Sequence, residues 1–269
     1  MAESSPGPST VPLSLERLSV AYGERPAVRE LSLTVQPGEI YGLLGSNGAG
    51  KTSTIKSIVG LVRPVGGEIR VFGLDALRDG LSVKARIGYV PETSMLYEAL
   101  TPREFLEFVA SVRRMDAETA TRRVQSYAEA FRLDAELEEP IATLSNGTRQ
   151  KVLLIAAFLH APPLLVLDEP LNSLDPRSVR IVKDLLLRYA ANGGHGVLFS
   201  THTMEVAERL CHRVGILDRG VLKGEGTLDA LRERVAAGDA SLEEVFLRLT
   251  EEDAGVRAAV DSLGGPPVP

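Results

Sequence analysis

The chain has 269 residues, 44% of them hydrophobic and 25% charged, which is enough for one large or two small domains around a sizeable core. A formal net charge of −6 gives no basic footprint and argues against a nucleic-acid partner. Cys211 is the single cysteine, which excludes an intrachain disulfide and a multi-cysteine zinc site and suits a reducing compartment.

In chain order, residues 1–10 (MAESSPGPST) are small, polar and proline-rich and predict a disordered tail. With neither a basic n-region nor an apolar h-region, this start does not read as a signal peptide. Residues 13–20 and 31–35 alternate like half-buried strands. The runs at 40–44, 164–167, 197–200 and 214–217 read as strands buried on both faces, as in a parallel sheet. Helical patterns fill residues 51–62, 176–190, 203–210 and 228–235. Residues 101–150 carry no strand pattern; TPREFLEFVASVRRM and ETATRRVQSYAEAFRL place apolar residues at helical spacing, predicting a helical subdomain, about 95–160, inserted into an α/β core. Residues 251–269 end in LGGPPVP and predict a flexible tail. The most apolar stretch, 152–167, is broken by His160, Pro162 and Pro163 and falls short of about 20 clean residues, so a membrane role has to come through a partner.

Residues 45–52, GSNGAGKT, fit G-x-x-x-x-G-K-[ST] between a buried apolar run (IYGLL) and a helical run (STIKSIVGLV), the context that pattern requires. Its glycines let the loop turn backbone N–H groups inward, making an anion nest at a helix N-terminus. Lys51 can then reach the β- and γ-phosphates of a nucleotide while the Thr52 hydroxyl ligates Mg²⁺. Gly45, Ser46, Asn47, Gly48, Ala49, Gly50, Lys51, Thr52 and Ser53 are therefore candidate ATP-binding residues. LLVLDEP at 164–170 is the expected companion: an apolar strand ending in Asp168, placed to hold Mg²⁺ through water. Glu169 follows, and strand alternation predicts that it points the other way, where a carboxylate can polarise an attacking water. Alone, such an acidic strand end reads more readily as solvent-exposed; downstream of a phosphate loop the functional reading prevails.

LSNGTRQK at 144–151 narrows the choice. It resembles the signature of ATP-binding-cassette (ABC) transporter ATPases, LSGGQ in its commonest form, and its Ser145 precedes Asp168 by 23 residues, as in that family. A bland alternative is compatible with it: Ser145 before VLLIAAFL makes a good helix N-cap. The remaining family elements follow in order. Tyr22 matches the aromatic that stacks on adenine; Glu92, in YVPE, stands where the family usually has a glutamine; Asp175, in NSLDP, matches the dimer-seam aspartate; and His202, closing FSTH, resembles the histidine that contacts the γ-phosphate. The resemblance covers about residues 13–249.

It implies an α/β P-loop NTPase core with a mainly parallel sheet, an N-terminal antiparallel β region and the inserted helical subdomain, the whole domain spanning 11–250. It also implies an ATPase using ATP and Mg²⁺ without a covalent cofactor. Lys51, Glu169, His202 and Glu92 would serve catalysis, and Thr52, Asp168 and Glu92 the metal. Ser145, Asn146, Gly147 and Asp175 would meet the nucleotide held by a second nucleotide-binding subunit, identical or paralogous. An integral-membrane permease on a separate chain would dock near Glu92, placing the subunit at the cytoplasmic face of the membrane. MLYEALTPREFLEF, GVLKGEGTLDALRER and SLEEVFLRLT are similar to compact bacterial subunits that serve drug, lipid, peptide or polysaccharide exporters. A non-transport ABC ATPase working on another macromolecule is the alternative, although this chain lacks the long coiled coil, zinc cysteines or second cassette that such proteins carry. Glu92, Asn146, Thr148 and Ser173 depart from the family's usual Gln, Gly, Gln and Gly, and what they touch is turnover and coupling.

Overall fold

The computed structural model describes residues 10–236 and 238–250; the two tails expected at 1–10 and 251–269 fall outside it except for Thr10. The chain starts with a hairpin, β1 (Leu13–Tyr22) and β2 (Arg25–Val35). Alternation in β1 is interrupted: Leu13 and Leu15 face inward, then Leu18 and Val20, because the register slips between Leu15 and Leu18. Arg17 and Glu30 both adopt left-handed backbone there, φ 48° and 45°, and pair at 2.6 Å, so the bulge keeps both apolar pairs in the core. Next come β3 (Glu39–Leu44) and α1 (Lys51–Ile58). The helix stops four residues before the sequence pattern does, since the amides of Leu61 and Val62 both turn back to the Lys56 carbonyl, at 2.8 and 3.1 Å.

Four short elements follow that the sequence pattern did not announce: β4 (Gly66–Val71), β5 (Leu74–Asp75), α2 (Gly80–Ala85) and β6 (Ile87–Val90). Strands β4 and β5 complete an antiparallel sheet in the order β2-β1-β4-β5. The middle of the chain is helical, as expected: α3 (Pro102–Val112), α4 (Ala117–Phe131) and α5 (Asn146–Leu159), joined by two short 3₁₀ turns. Local chemistry starts each helix. Thr101 and Glu104 form a capping box around Pro102, and Asp116 and Ser145 cap α4 and α5.

The rest is β7 (Leu164–Asp168), α6 (Pro176–Ala191), β8 (Gly196–Thr201), α7 (Met204–Leu210), β9 (Arg213–Asp218), β10 (Val221–Gly226), α8 (Leu228–Arg234) and α9 (Leu242–Leu249). Strands β10-β9-β3-β8-β7-β6 form the second sheet, parallel apart from β10. Every residue of β3, β7 and β8 is buried, as their unbroken apolar runs require. One apolar layer (Leu15, Val20, Tyr41, Leu43, Ile55, Val166) fills the space between the sheets and α1. Another (Leu106, Val124, Phe131, Leu154, Leu186, Phe199) fastens the helical insert to the opposite face. No helix among the described residues is long and apolar enough to cross a membrane. The fold thus points the C-terminal ends of β3, β7 and β8 at one place, where such sheets bind ligands.

Candidate functional site

Strand β3 runs into a loop that only glycine could trace at two points. A Cβ on Gly45 would lie 2.4 Å from the Leu217 carbonyl oxygen, and one on Gly50, at φ 111°, 2.6 Å from that of Ala27. Helix α1 then begins without a side-chain cap and without an acid in its first turn, so its N-terminal amides and positive dipole end stay available for an anion. Ser46, Asn47, Gly48, Ala49, Gly50, Lys51, Thr52 and Ser53 line a pocket together with Ala27, Glu92 and Glu169. The Lys51 ammonium is buried; it donates to the carbonyls of Gly45 (2.7 Å) and Ser46 (3.3 Å) and lies 3.5 Å from Glu169 Oε1. Its donors are aimed at neutral carbonyls, which are weaker acceptors than a charged phosphate oxygen.

Asp168 and Ser200 are opposite one another in the β7–β8 ladder, and the serine hydroxyl donates to Asp168 Oδ1 at 2.5 Å. Asp168 Oδ2 is buried with no hydrogen-bond partner. Burial raises this carboxyl above its ordinary value, against the lowering influence of the Ser200 hydroxyl. Glu169 does not simply alternate as a strand residue. Strand β7 ends at Asp168, and Glu169 takes left-handed backbone, φ 48°, with its amide on the carbonyl (3.2 Å) and hydroxyl (3.1 Å) of Ser200. That turn, rather than the pleat, aims its buried carboxylate at Lys51 and at His202, whose Nδ1 lies 2.9 Å from Oε1. Glu169 Oε2 has no hydrogen-bond partner. Each carboxylate therefore has one oxygen engaged and one left over beside the pocket.

The Thr52 hydroxyl donates to Glu92 Oε2 at 3.0 Å. Thr52, Glu92 and Asp168 offer hard oxygen ligands of the kind Mg²⁺ takes, and the orphaned Asp168 Oδ2 fits such a role. Among the described residues no three acidic, His or Cys side chains gather into a self-sufficient metal cage. A cation here would complete its shell from phosphate and water, as Mg²⁺ does in nucleotide sites.

Other expected site residues lie elsewhere. Tyr22, half-exposed at the end of β1, is not part of the pocket lining. Nor are Ser145, Asn146 and Gly147, which form the start of α5. Ser145 Oγ accepts from the Thr148 amide (3.2 Å) and sits 2.9 Å from its hydroxyl, so the capping reading holds. Gly147 passes so close to the next loop that a Cβ there would lie 2.6 Å from the Ser173 carbonyl oxygen. Asp175 caps α6, accepting from the Ser178 amide (2.9 Å) and hydroxyl (2.6 Å) and pairing with Lys151 at 2.9 Å. These contacts, the Ser178 hydroxyl first, hold its carboxyl well below the usual carboxylate range. Sequence reasoning overlooked Ser200, two residues before His202 in FSTH, and Ala27 of the pocket wall.

The family model described as ABC transporter matches residues 28–172. EcsA, an ABC-type transporter ATP-binding protein of Bacillus subtilis (strain 168), is 39% identical over 243 residues, 90% of this chain and 98% of its own length. Nod factor export ATP-binding protein I of Paraburkholderia xenovorans (strain LB400) is 35% identical, covering 81% of this chain and 72% of that protein. The solved structure of an ATP-binding subunit of an ABC transporter superposes with a TM-score of 0.84 at 36% identity, covering 88% of this chain and 99% of its own. The dimeric structure of MJ0796, a bacterial ABC transporter cassette, superposes with a TM-score of 0.74 at 25% identity over 80% of this chain and 98% of its own.

Proposed function

The chain belongs to the ABC transporter family as an ATP-binding, ATP-hydrolysing subunit, and from that premise we propose that two such subunits close head to tail around two Mg-ATP to drive export through a separate membrane permease. The observation that carries this reading is the division of the site. One chain gathers the phosphate loop, Glu92 and Glu169 in its pocket lining, with His202 on the Glu169 carboxylate and Asp168 just before it in sequence, whereas Ser145, Gly147 and Asp175 are in neither the lining nor this network. Those groups are then left for the nucleotide of the facing subunit, an arrangement supported by the dimeric cassette of MJ0796. In a homodimer the interface is isologous and both sites complete together.

In this reading Lys51 and the loop amides hold the β- and γ-phosphates, and Tyr22 approaches the adenine from the β1 end. Bound Mg²⁺ would be held by Thr52, Asp168 and Glu92 and would neutralise developing phosphate charge. Glu169 accepts the proton of the attacking water through its free oxygen, while His202 and Lys51 fix the other. Ser145 and the Gly147 amide add donors to the partner's γ-phosphate. ATP supplies the negative charge that both halves require, and its hydrolysis removes that bridge, so the pair is a ligand-biased two-state switch. The domain spans 11–250 with its helical subdomain at about 95–160. Export direction draws on the Nod factor export relatives, and location at the cytoplasmic face follows from a permease partner.

Co-purification tests the transport reading. The full chain, affinity-tagged in its native cell and extracted with mild detergent, is expected to bring down a multispan membrane protein whose presence stimulates ATP turnover. Recovery of soluble partners alone would point to a non-transport ABC ATPase.

A further inference from the structure

Glu169 holds a costly backbone conformation. It is a non-glycine residue at φ 48°, directly before Pro170, and such outliers persist only where their surroundings over-determine them. On its N-terminal side the constraint is plain: the Glu169 amide is bound by the carbonyl and hydroxyl of Ser200 on β8. On its C-terminal side the tie comes from a different element. Gln150, on α5, is buried at 7% exposure, and its Nε2 donates to the Pro170 carbonyl at 2.9 Å. The Glu169 carbonyl itself accepts from the Asn172 amide at 3.2 Å, closing the turn.

We propose that Gln150 is a positioning residue for hydrolysis: by pinning the carbonyl of Pro170, the residue after Glu169, it holds the turn that sets where the Glu169 carboxylate points. The inference rests on Glu169 as the water-activating group. Two neighbouring contacts make the same bridge firmer, Lys151 to Asp175 at 2.9 Å and the close approach of Gly147 to the Ser173 carbonyl. Helix α5 is thereby tied at residues 147, 150 and 151 to the segment 170–175, so a shift at its N-terminal Ser145 carries over to the carboxylate of the same subunit. Neither Gln150 nor its partner Pro170 belongs to the pocket lining, so its effect should fall on turnover and not on nucleotide capture.

The test uses the full chain with Mg-ATP. Gln150→Met keeps length and volume but removes the donor, and Gln150→Glu keeps shape while turning the donor into an acceptor. Each is expected to lower kcat roughly ten- to hundredfold, the scale of a slightly misplaced catalytic group, with KM and ATP binding unchanged. The discriminating readout is a double-variant cycle. Gln150→Met added to Glu169→Gln should cost nothing further, because the carboxylate it would misplace is gone. A wild-type kcat in Gln150→Met overturns the proposal, as does a full second penalty in the double variant. Loss of ATP binding in both Gln150 variants also overturns it, since the residue would then serve folding alone. If Glu169→Gln itself turns over like the wild type, the water-activating role falls first and the positioning role with it; if Glu169→Gln is dead while Gln150→Met is normal, only the positioning role falls.

Discussion

The hydroxyl of Thr52, in the first turn of α1, donates to Glu92 Oε2 at 3.0 Å, joining the phosphate loop to the loop after β6. Glu92 stands where a neutral amide is usual in the family, and the contact uses only its oxygen. Glu92→Gln keeps that oxygen, so substantial ATPase activity should remain, with kcat falling no more than about tenfold. Steady-state kinetics at saturating Mg²⁺ decide it. Complete loss of turnover would show that the negative charge itself is needed in this chain.

Lys51 is the buried cation of the pocket, and its ammonium is the one placed against the loop carbonyls and Glu169. Lys51→Ala removes the charge that offsets the β- and γ-phosphates and leaves the buried Glu169 carboxylate with one partner fewer. ATP affinity should drop by about a hundredfold or more, the scale of a lost charge-assisted contact in a water-poor site. Equilibrium binding of a fluorescent ATP analogue measures it, and near-wild-type affinity would remove this loop from the nucleotide site.

Much of this was readable in the sequence, and the reason is local. Gly45 and Gly50 are forced by backbone approaches of 2.4 and 2.6 Å, and no other residue serves there, so the motif is written where it acts. The buried strands β3, β7 and β8 announce themselves because both faces are covered. What stayed hidden depends on contacts between distant segments. Strand β4 (GGEIRV) has only two buried residues and borrows its partners from β1, so it carries little pattern of its own. Ser200 matters because the parallel register sets it opposite Asp168, and a register between strands 32 residues apart is not printed in either strand. The aim of Glu169 comes from a left-handed turn held by β8 and α5, which strand alternation alone misreads.

Ser145 gives a test of the shared site. Its hydroxyl caps α5 outside the pocket of its own chain. Ser145→Arg should leave ATP binding by the single subunit intact and abolish hydrolysis, because the long side chain would intrude at the γ-phosphate of the facing subunit. Binding and turnover measured on the same preparation separate the two effects. Normal hydrolysis would reduce the signature to a helix cap.

His160 predicts a pH dependence of stability. Burial, reinforced by the nearby Arg113 guanidinium, pushes its imidazole from 6.5 down to about 4. The unfolded chain therefore binds a proton here that the folded chain refuses. This contribution is fully present above pH 6.5 and is lost as pH falls toward 4. Thermal unfolding at pH 7 and pH 5 should show a wild-type midpoint falling by roughly a few degrees more than that of His160→Gln. Equal slopes in the two proteins would contradict the assignment.

Glu169→Gln is the sharpest test of the mechanism, because it alters one oxygen at the centre of the network. The substitution keeps size and shape, and the backbone contacts from Ser200, Asn172 and Gln150 that hold the turn involve no side-chain atom of residue 169. The folded site should therefore survive. An amide cannot take a proton from water, so hydrolysis should fall by about 10²–10⁴-fold, the range for a positioned general base. ATP binding should persist, since Lys51, Thr52 and Asp168 are untouched. Losing one negative charge 3.5 Å from Lys51 also frees that ammonium for phosphate and lessens repulsion of the triphosphate. Unspent ATP would then hold two subunits together long enough to isolate them. Size-exclusion chromatography with light scattering should show a monomer without nucleotide and a dimer with Mg-ATP in the variant, whereas the wild type disassembles as it hydrolyses. Turnover at the wild-type rate would remove Glu169 from water activation. Lost turnover without an ATP-dependent dimer, even with the permease present, would leave the base in place and remove the head-to-tail sandwich.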